Sequence, residues 1–233
     1  MAKKRKEENQ EVCRQNHPFG NGYYPNEALG LIIGTAPPYR FCAQPPLLEE
    51  GDINYFYGSS DNNLWYILKH ILEPNEIRWC RTQRHCREFQ RNHRLAFADM
   101  LLEFDRVGQE AGDNNLTPIL LNFNIYARIS RPRSNIRFLY FSSQAAFNLF
   151  VTGINQQPIE MIVTPTANPT LSSSHLIEIP ARNRTLTVFI LMSPSGNGRR
   201  NNPSYNEEKQ INPNLNYQTF LYAKYLLPFK VLG

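Results

Sequence analysis

Two stretches of the chain end in small and hydroxyl-bearing residues that could line a binding pocket. Residues 29–33 are apolar and are followed by Gly34–Pro38, a loop that contains a threonine and prolines. Residues 187–192 are followed in the same way by Ser193–Gly196. Such apolar runs are typical of buried strands in a parallel sheet, and ligands bind outside the carboxyl ends of these strands. The two loops together therefore predict a site for a small polar ligand.

A segment rich in aromatic residues follows the first loop. Residues 39–60 carry Phe41, Tyr55, Phe56 and Tyr57 and are predicted to form a long loop. Loops of more than about 12–15 residues in a compact domain are usually functional. Aromatic rings are also the surfaces on which nucleobases stack. These rings either contact a ligand of that kind or cover the edge of the sheet.

Residues 61–72 have the pattern of an amphipathic helix. Asp61 or Asn62 can cap its N-terminus, and Leu64 begins a set of apolar residues that fall on one face at helical spacing. The start of this helix is predicted to lie at the mouth of the pocket. A capping side chain in that position can also take part in chemistry.

Basic residues are concentrated in two places. Residues 73–94 carry many arginines, including Arg78, at spacings of three and four, and residues 3–6 form a basic N-terminus. The net charge is +5 and the pI is near 9.0, which indicates an anionic partner. A solvated helix face and a solvated terminus are the alternatives to phosphate contact.

Composition indicates one soluble domain without a metal. A chain of 233 residues with 41% hydrophobic residues is long enough for one α/β domain, and it has no apolar run of about 18 residues. No apolar stretch follows the basic N-terminus, so a secretory signal is not predicted. The cysteines Cys13, Cys42, Cys80 and Cys86 form no CxxC pair, and His85 lacks the second half of a zinc site. We therefore expect a cytoplasmic protein with reduced thiols and no contact with a membrane.

Strand and helix patterns alternate along the chain. Strands are predicted at residues 29–33, 137–141 and 187–192, helices at 61–72, 95–109, 144–150 and 215–227, and loops or short edge strands at 153–185. Residues 118–122 are ambiguous between strand and helix, and residues 193–214 are predicted to form a polar loop. This alternation predicts a three-layer α/β/α sandwich with a mostly parallel central sheet of about four to five strands. We expect residues 1–28 to be a polar lead-in and residues 29–233 to form a single domain.

The order of these motifs resembles the uracil-DNA glycosylase superfamily, most closely its mismatch-specific and hypoxanthine-DNA glycosylase branches. The family's G-x-x-P loop matches Gly34–Pro37, and its N-x-F-W segment matches residues 62–65 with Leu64 in place of Phe. Its second loop matches Ser193–Ser195, and residues 98–101, 112–116 and 138–146 are similar to the middle region of the hypoxanthine branch. The matched motifs extend in order over residues 29–200.

Departures from the pattern indicate which side chain would act. The first loop has Thr35 and Ala36 where several branches place the Asn or Asp that directs the attacking water, and the second loop has Ser193 where the classical uracil enzymes carry His. Both features resemble the hypoxanthine branch, whose N-x-F-W asparagine is catalytic. The resemblance assigns that role to Asn62, with the neighbouring Asn63 as the alternative alignment.

The resemblance implies hydrolysis of an N-glycosidic bond of a deaminated base, uracil or hypoxanthine, in DNA. It implies a monomeric base-excision repair enzyme without a cofactor or metal, and the absence of lysine from the matched motifs predicts a monofunctional hydrolase. The basic segment 196–202 is predicted to be a flexible loop that contacts DNA. The candidate residues are Asn62, Asp61, Ser193 and Ser195 for catalysis; Gly34, Thr35, Ala36, Phe41, Tyr57 and Asn122 for the base; and Pro37, Asn197, Arg199 and Arg200 for DNA.

Two other functions are compatible with these residues. A non-catalytic nucleic-acid-binding relative would keep the pocket and lose water activation, and the missing acid or amide in the first loop favours it. A different α/β enzyme acting on free nucleosides or nucleotides would bind without dependence on DNA length or salt. The base itself stays open, with uracil preferred because it is the commonest substrate of the superfamily.

Overall fold

The computed structural model describes residues 11–75, 80–109, 112–166, 174–200 and 202–232, with the Asn197 side chain excepted. Arg78 and the basic residues 3–6, for which phosphate contact is one of the predicted roles, lie outside these ranges. The strands are β1 (Val12–Asn16), β2 (Gly30–Gly34), β3 (Leu95–Asp99), β4 (Leu101–Val107), β5 (Leu116–Leu121), β6 (Phe138–Phe141), β7 (Ile162–Pro165), β8 (Ser174–Ile179) and β9 (Arg184–Ile190). The α-helices are α1 (Tyr39–Cys42), α2 (Leu64–Leu72), α3 (Gln83–Asn92), α4 (Asn124–Ile129), α5 (Gln144–Ile154), α6 (Gly196–Arg200), α7 (Pro203–Ile211) and α8 (Tyr217–Lys230).

Within the described residues, the central sheet has six strands in the order β3-β2-β6-β9-β8-β7. The first four strands are parallel, and β8 and β7 are added as antiparallel strands. The sheet is therefore mixed, and the expectation of a mostly parallel sheet of four or five strands is corrected. The predicted loops and edge strands at residues 153–185 include this antiparallel pair. The coarser prediction of an α/β fold is confirmed.

The parallel strands form the centre because both of their faces are apolar. All residues of β2 and β3 are buried, as expected for strands covered on two sides. Leu31 and Ile33 pack with α4 and α5 on one face of the sheet, whereas Ile32 packs with α2, α3, α7 and α8 on the other. Alternate residues of one short strand thus serve two hydrophobic cores.

The predicted helix at residues 95–109 is wrong, because this segment forms β3 and β4. Strand β4 leaves the central sheet and is the middle strand of an antiparallel sheet with β1 and β5, within the described residues. Phe104 and Arg106 point inward from β4 while the alternate residues are more exposed, which is the period of a half-buried strand. The hydrogen bonds that β4 makes with β1 and β5 on its two edges favour a strand over the helix that the spacing of the apolar residues predicts.

Residues 11–28 are part of the same folded unit. Strand β1 pairs with β4 along its whole length, and Tyr23 makes an isolated antiparallel bridge to Phe97 of β3. The structure therefore continues across residue 28, where a boundary between lead-in and domain is predicted.

The basic segment forms a helix whose arginines face outward. Arg84, Arg87 and Arg91 of α3 are exposed, whereas Cys86 and Phe89 are buried. Arg91 donates a hydrogen bond to the hydroxyl of Tyr23. The described part of the chain contains no helix long and apolar enough to cross a membrane.

Candidate active site

A cavity opens at the carboxyl ends of β2, β6 and β9. Its volume is about 670 Å³ with its open mouth included. The lining residues are Gly34, Thr35, Ala36, Pro37, Pro38, Phe41, Tyr55, Tyr57, Gly58, Ser59, Asn62, Asp99, Asp113, Ser142, Ser143, Ser193, Pro194 and Ser195. The two loops predicted to form one pocket therefore meet.

The side chains of Asp99 and Tyr57 pack closely against the backbone of the first loop at Gly34. A Cβ atom at Gly34 would lie 2.1 Å from Asp99 Oδ1 and 2.6 Å from the Tyr57 hydroxyl oxygen, so a larger residue would displace both groups. Backbone N–H groups of Met100 and Leu101 donate to the carbonyls of Gly34 and Thr35. The loop is thereby tied to the crossing from β3 into β4.

The long aromatic loop is organised by an ion pair. Arg40, from α1, donates to both carboxylate oxygens of Asp52 at 2.7 and 2.9 Å and to the Ser59 hydroxyl at 2.8 Å. Asp52 also accepts hydrogen bonds from the backbone N–H groups of Glu49 and Ser60. Burial would raise the pKa of Asp52, but the Arg40 and backbone hydrogen bonds lower it to about 2. The loop thus holds a fixed course around the cavity.

Tyr57 presents an aromatic ring at the cavity wall. Its backbone is left-handed, with φ of 53°, and its half-buried ring meets Phe97 edge to face at 5.7 Å. Burial raises the pKa of Tyr57 well above its ordinary value, and the nearby Asp99 carboxylate adds to this shift. Phe41 also lines the cavity, but it is only 1% exposed and packs edge to face on Phe19. Tyr57 is therefore the better placed of the two predicted stacking rings.

The two adjacent asparagines have different tasks. Asn62 lines the cavity and accepts a 2.9 Å hydrogen bond from the Leu64 N–H through Oδ1, whereas its Nδ2 makes no hydrogen bond with the described residues. Asn63 donates to the Pro194 carbonyl from its backbone N–H at 2.9 Å and from Nδ2 at 3.1 Å. Asn63 thus joins α2 to the second loop, whereas the Nδ2 group of Asn62 is available to donate a hydrogen bond to a ligand.

The second loop carries two mutually hydrogen-bonded hydroxyls. The Oγ atoms of Ser193 and Ser195 are 2.9 Å apart, and Ser195 Oγ accepts from the Gly198 N–H at 3.1 Å. Tyr217 donates to the Ser193 carbonyl at 2.6 Å. The segment predicted as part of a polar flexible loop forms α6 from Gly196 to Arg200, because the Ser195 cap and carbonyl begin a helix there.

A polar groove adjoins the cavity. Asp61, Arg199 and Arg200 lie in this groove and are exposed, while Pro38, Ser59, Asn62 and Ser195 line both the groove and the cavity. Asp61, predicted to assist catalysis, is thus placed outside the cavity. The side chain of Asn197, predicted to contact DNA, lies outside the described residues.

Asn122 is placed behind the cavity wall and not among its lining residues. It is fully buried, and its Nδ2 donates to the carbonyls of Asp99 at 2.9 Å and Asn21 at 3.3 Å. Asn122 lies after the edge strand β5 of the smaller sheet. Asn122 therefore supports the backbone of Asp99. The sequence predicts instead that its side chain contacts a base.

Two carboxyl groups in the cavity are not among the site residues predicted from the sequence. Asp99 ends β3 and receives a 2.7 Å contact from the buried ring of His17. Asp113 lies between β4 and β5, and its Oδ2 accepts from Thr35 Oγ1 at 3.1 Å and Ser143 Oγ at 3.3 Å. Ser143 follows a predicted strand and could have been selected by position, whereas Asp99 falls in the segment predicted as a helix. Within the described ranges no three His, Cys, Asp or Glu side chains converge to hold a metal ion.

Comparison with known proteins identifies a shared fold. No family model and no curated protein matches this chain. The structure is similar to the solution NMR structure of a "putative Uracil DNA glycosylase" from Methanosarcina acetivorans, with a TM-score of 0.51 and 12% sequence identity. The similarity covers 93% of this chain and 99% of that chain. At this identity the similarity shows the fold and favours no branch of the superfamily.

Proposed function

We propose that this protein is a monofunctional DNA glycosylase that hydrolyses the N-glycosidic bond of a deaminated base, uracil or hypoxanthine, in base-excision repair. The position of Asn62 carries the proposal, because this residue lines both the inner cavity and the arginine-bearing groove. A nucleotide with its base in the cavity would have its sugar beside Asn62 and its phosphates in the groove. The fold shared with the archaeal protein supports the same class of reaction.

The cavity suits a flat polar ring. Tyr57 offers a stacking surface, and base–aromatic stacking contributes about 1–3 kcal/mol. The hydroxyls of Thr35, Ser142 and Ser143 provide hydrogen-bond partners for the edge of a base. Because a base must leave the duplex stack at a cost of a few kcal/mol, these contacts offset the cost of extrusion.

Asn62 acts in this proposal as a positioning residue. Its Oδ1 is occupied by the Leu64 N–H, so Nδ2 is the group that can hold a water or a sugar oxygen. An amide cannot take the proton of that water. Glycosidic bonds break through an oxocarbenium-like transition state, and the linked hydroxyls of Ser193 and Ser195 line the same cavity.

The groove supplies the contact with DNA. Arg199 and Arg200 are exposed in it, and we propose that they bind the phosphates flanking the extruded nucleotide. In this proposal Asn197, close to them in sequence, and Pro37 of the first loop complete the contact with DNA. No lysine lines the cavity within the described residues, which favours direct hydrolysis over a Schiff-base intermediate.

The test uses labelled oligonucleotides that carry a single uracil, hypoxanthine or xanthine, in single- and double-stranded form. We expect alkali-dependent strand cleavage for at least one base, and a rate reduced by about 100-fold or more in Asn62→Ala, since positioning effects of this size are common. Asn155→Ala, an exposed asparagine at the end of α5, is the matched control and should keep the wild-type rate.

Failure has two distinct forms. If no base is removed while salt-sensitive DNA binding stays intact, the protein is a nucleic-acid-binding module and not an enzyme. Ligand binding that depends on neither salt nor DNA length would instead indicate an enzyme of free nucleosides or nucleotides.

A further inference from the structure

Asp99 is a buried carboxylate. One of its oxygens contacts His17, and the other accepts no hydrogen bond from the described residues. The residue is 6% exposed, and its Oδ2 lies 2.7 Å from Nε2 of His17, whose side chain is 1% exposed. His17 Nδ1 accepts a hydrogen bond from the Phe19 backbone N–H at 3.1 Å. This network assigns the ring proton to Nε2, so a neutral His17 donates to Asp99. His17 thereby holds one carboxylate oxygen of Asp99 in place.

The second oxygen of Asp99 faces the cavity. Oδ1 lies beside Gly34 and Tyr57 at the cavity wall, and it accepts no hydrogen bond from the residues that the structure describes. Buried carboxylate oxygens normally have a partner. Such an oxygen, fixed by a histidine on its other side, can take a proton from a bound water.

Asp113 has the opposite environment in the same cavity. Its Oδ2 lies 3.1 Å from Thr35 Oγ1 and 3.3 Å from Ser143 Oγ. Burial raises the pKa of Asp113 and the charge of Asp99 adds to the rise, while the two hydroxyls and Arg106 act against it. Two carboxyl groups in one cavity, one accepting from a histidine and the other from two hydroxyls, have the different surroundings that acid–base pairs use.

We propose, on the basis of the glycosylase function proposed above, that Asp99 is the general base for the attacking water and Asp113 is the general acid for the departing base. Asn62 and Asp61, the candidates from the sequence, then have no proton to transfer. Asn62 positions the water or sugar by its Nδ2, and Asp61 remains in the outer groove.

The reaction balances with water as the sole co-reactant. The bond between C1′ and the base nitrogen breaks, and its electron pair goes to the base. The carboxyl proton of Asp113 is transferred to a ring atom of the base, the water oxygen forms a bond to C1′, and a water proton passes to Asp99. The products are the free base and an abasic site, and the carboxyl groups return to their starting states by exchanging one proton through solvent.

The pair predicts a bell-shaped dependence of kcat/KM on pH. The rate should fall at low pH, where a general base is protonated, and at high pH as Asp113 loses its proton. The ionisable groups that face Asp99 are His17, Tyr24, Cys42, Tyr57 and Asp113, and those that face Asp113 are Tyr57, Asp99 and Arg106. Burial raises the pKa of Cys42 to about 12 and that of both tyrosines above 10, which places their titration outside the expected bell.

The experiment measures single-turnover rates against pH on the base that the wild-type enzyme removes. We expect Asp99→Asn to lose at least 100-fold in rate together with the acidic limb, and Asp113→Asn to lose at least 100-fold together with the alkaline limb. His17→Gln keeps a donor to Asp99 and should keep both limbs. Asp105→Asn changes a partly exposed carboxylate that is paired with Arg14 on the smaller sheet, and it should match the wild-type profile.

A second variant distinguishes an effect on catalysis from a loss of folding. Thr35→Val removes one hydrogen-bond donor to Asp113 with little change of shape, so the alkaline limb should move to higher pH without disappearing. Thermal unfolding and binding of an oligonucleotide with an abasic-site analogue identify any variant that fails to fold.

The outcomes separate the two proposals. An active wild-type enzyme whose Asp99→Asn and Asp113→Asn variants fold and stay within threefold of its rate overturns the acid–base pair and leaves the glycosylase function standing. Loss of the acidic limb in His17→Gln would assign that limb to His17 and also overturn the pair. A wild-type protein inactive on every base overturns both proposals.

Discussion

Gly34 and Asp99 lie so close that a single methyl group cannot be placed between them. A Cβ atom at residue 34 would come within 2.1 Å of Asp99 Oδ1. We expect Gly34→Ala to push the carboxylate and the Tyr57 hydroxyl into the cavity and to reduce glycosylase activity by about 100-fold or more, because misplacement of about 1 Å has effects of this size. Overpacking should cost about 1–3 kcal/mol of stability.

Gly112→Ala is the matched control for this substitution. The nearest atom to its added Cβ is Asn115 Nδ2 at 3.7 Å, an ordinary contact, so activity and thermal stability should stay near those of the wild type. Equal activity losses in the two variants would contradict the role given to the contact at Gly34.

The Arg40–Asp52 pair is expected to set the acid stability of the aromatic loop. The pKa of Asp52 in the folded protein is about 2, below its ordinary 3.8. The stabilisation is therefore complete above the ordinary pKa and is lost as pH falls through about 2. Asp52→Asn should lower the free energy of unfolding at pH 7 by about 2 kcal/mol, since hydrogen bonds to charged groups contribute about 1.5–3 kcal/mol. Denaturant titrations at pH 7 and pH 2 measure both effects.

The surface pair of Arg14 and the partly exposed Asp105 provides the comparison. Surface ion pairs contribute about 0–1 kcal/mol, so Asp105→Asn should change stability little at pH 7. If Asp52→Asn were no more destabilising than Asp105→Asn, the Arg40 network would not be what holds the loop.

Tyr57 is expected to stack on the extruded base. Tyr57→Ala removes the ring, and binding of an oligonucleotide with a non-cleavable base analogue should weaken by about 5- to 150-fold, equivalent to about 1–3 kcal/mol. Tyr57→Phe keeps the ring and should bind within about threefold of the wild type. Fluorescence anisotropy measures both affinities, and a loss in Phe equal to that in Ala would assign the effect to the hydroxyl.

Arg199 and Arg200 are expected to bind phosphates in the groove. Replacing both by alanine should weaken DNA binding and lower the slope of log K against log salt by about one for each lost contact. Arg14→Ala, whose guanidinium is paired with Glu103 and Asp105, should leave the slope unchanged. A slope unaltered by the double substitution would place the DNA on another surface.

The central strands could be predicted because a strand buried on both faces is a continuous run of apolar residues. Strands β2, β6 and β9 appear as short apolar runs. Residues 95–107 could not be assigned in this way, since their apolar spacing suits a helix and pairing with distant strands decides the structure. The antiparallel strands β7 and β8 likewise depend on contacts that local patterns do not show.

The candidate site divides in a similar way. Thr35, Ser193 and Ser195 could be selected because they follow recognisable strands, and Asn62 because it precedes a recognisable helix. Asp113 could not be selected, since it reaches the cavity from the connection between two strands of the smaller sheet. Residues from a separate sheet meet the pocket by tertiary packing alone.

The most direct test of the proposed function is a mass balance on one oligonucleotide. The protein is incubated in excess with strands that carry uracil, hypoxanthine or xanthine, and the strand mass and the free base are measured together by mass spectrometry. We predict for at least one base a strand that has lost the base and gained a hydroxyl, with an equimolar amount of free base and no covalent adduct after borohydride. Unchanged strand mass for all three bases, with folded protein and intact DNA binding, would contradict the glycosylase function.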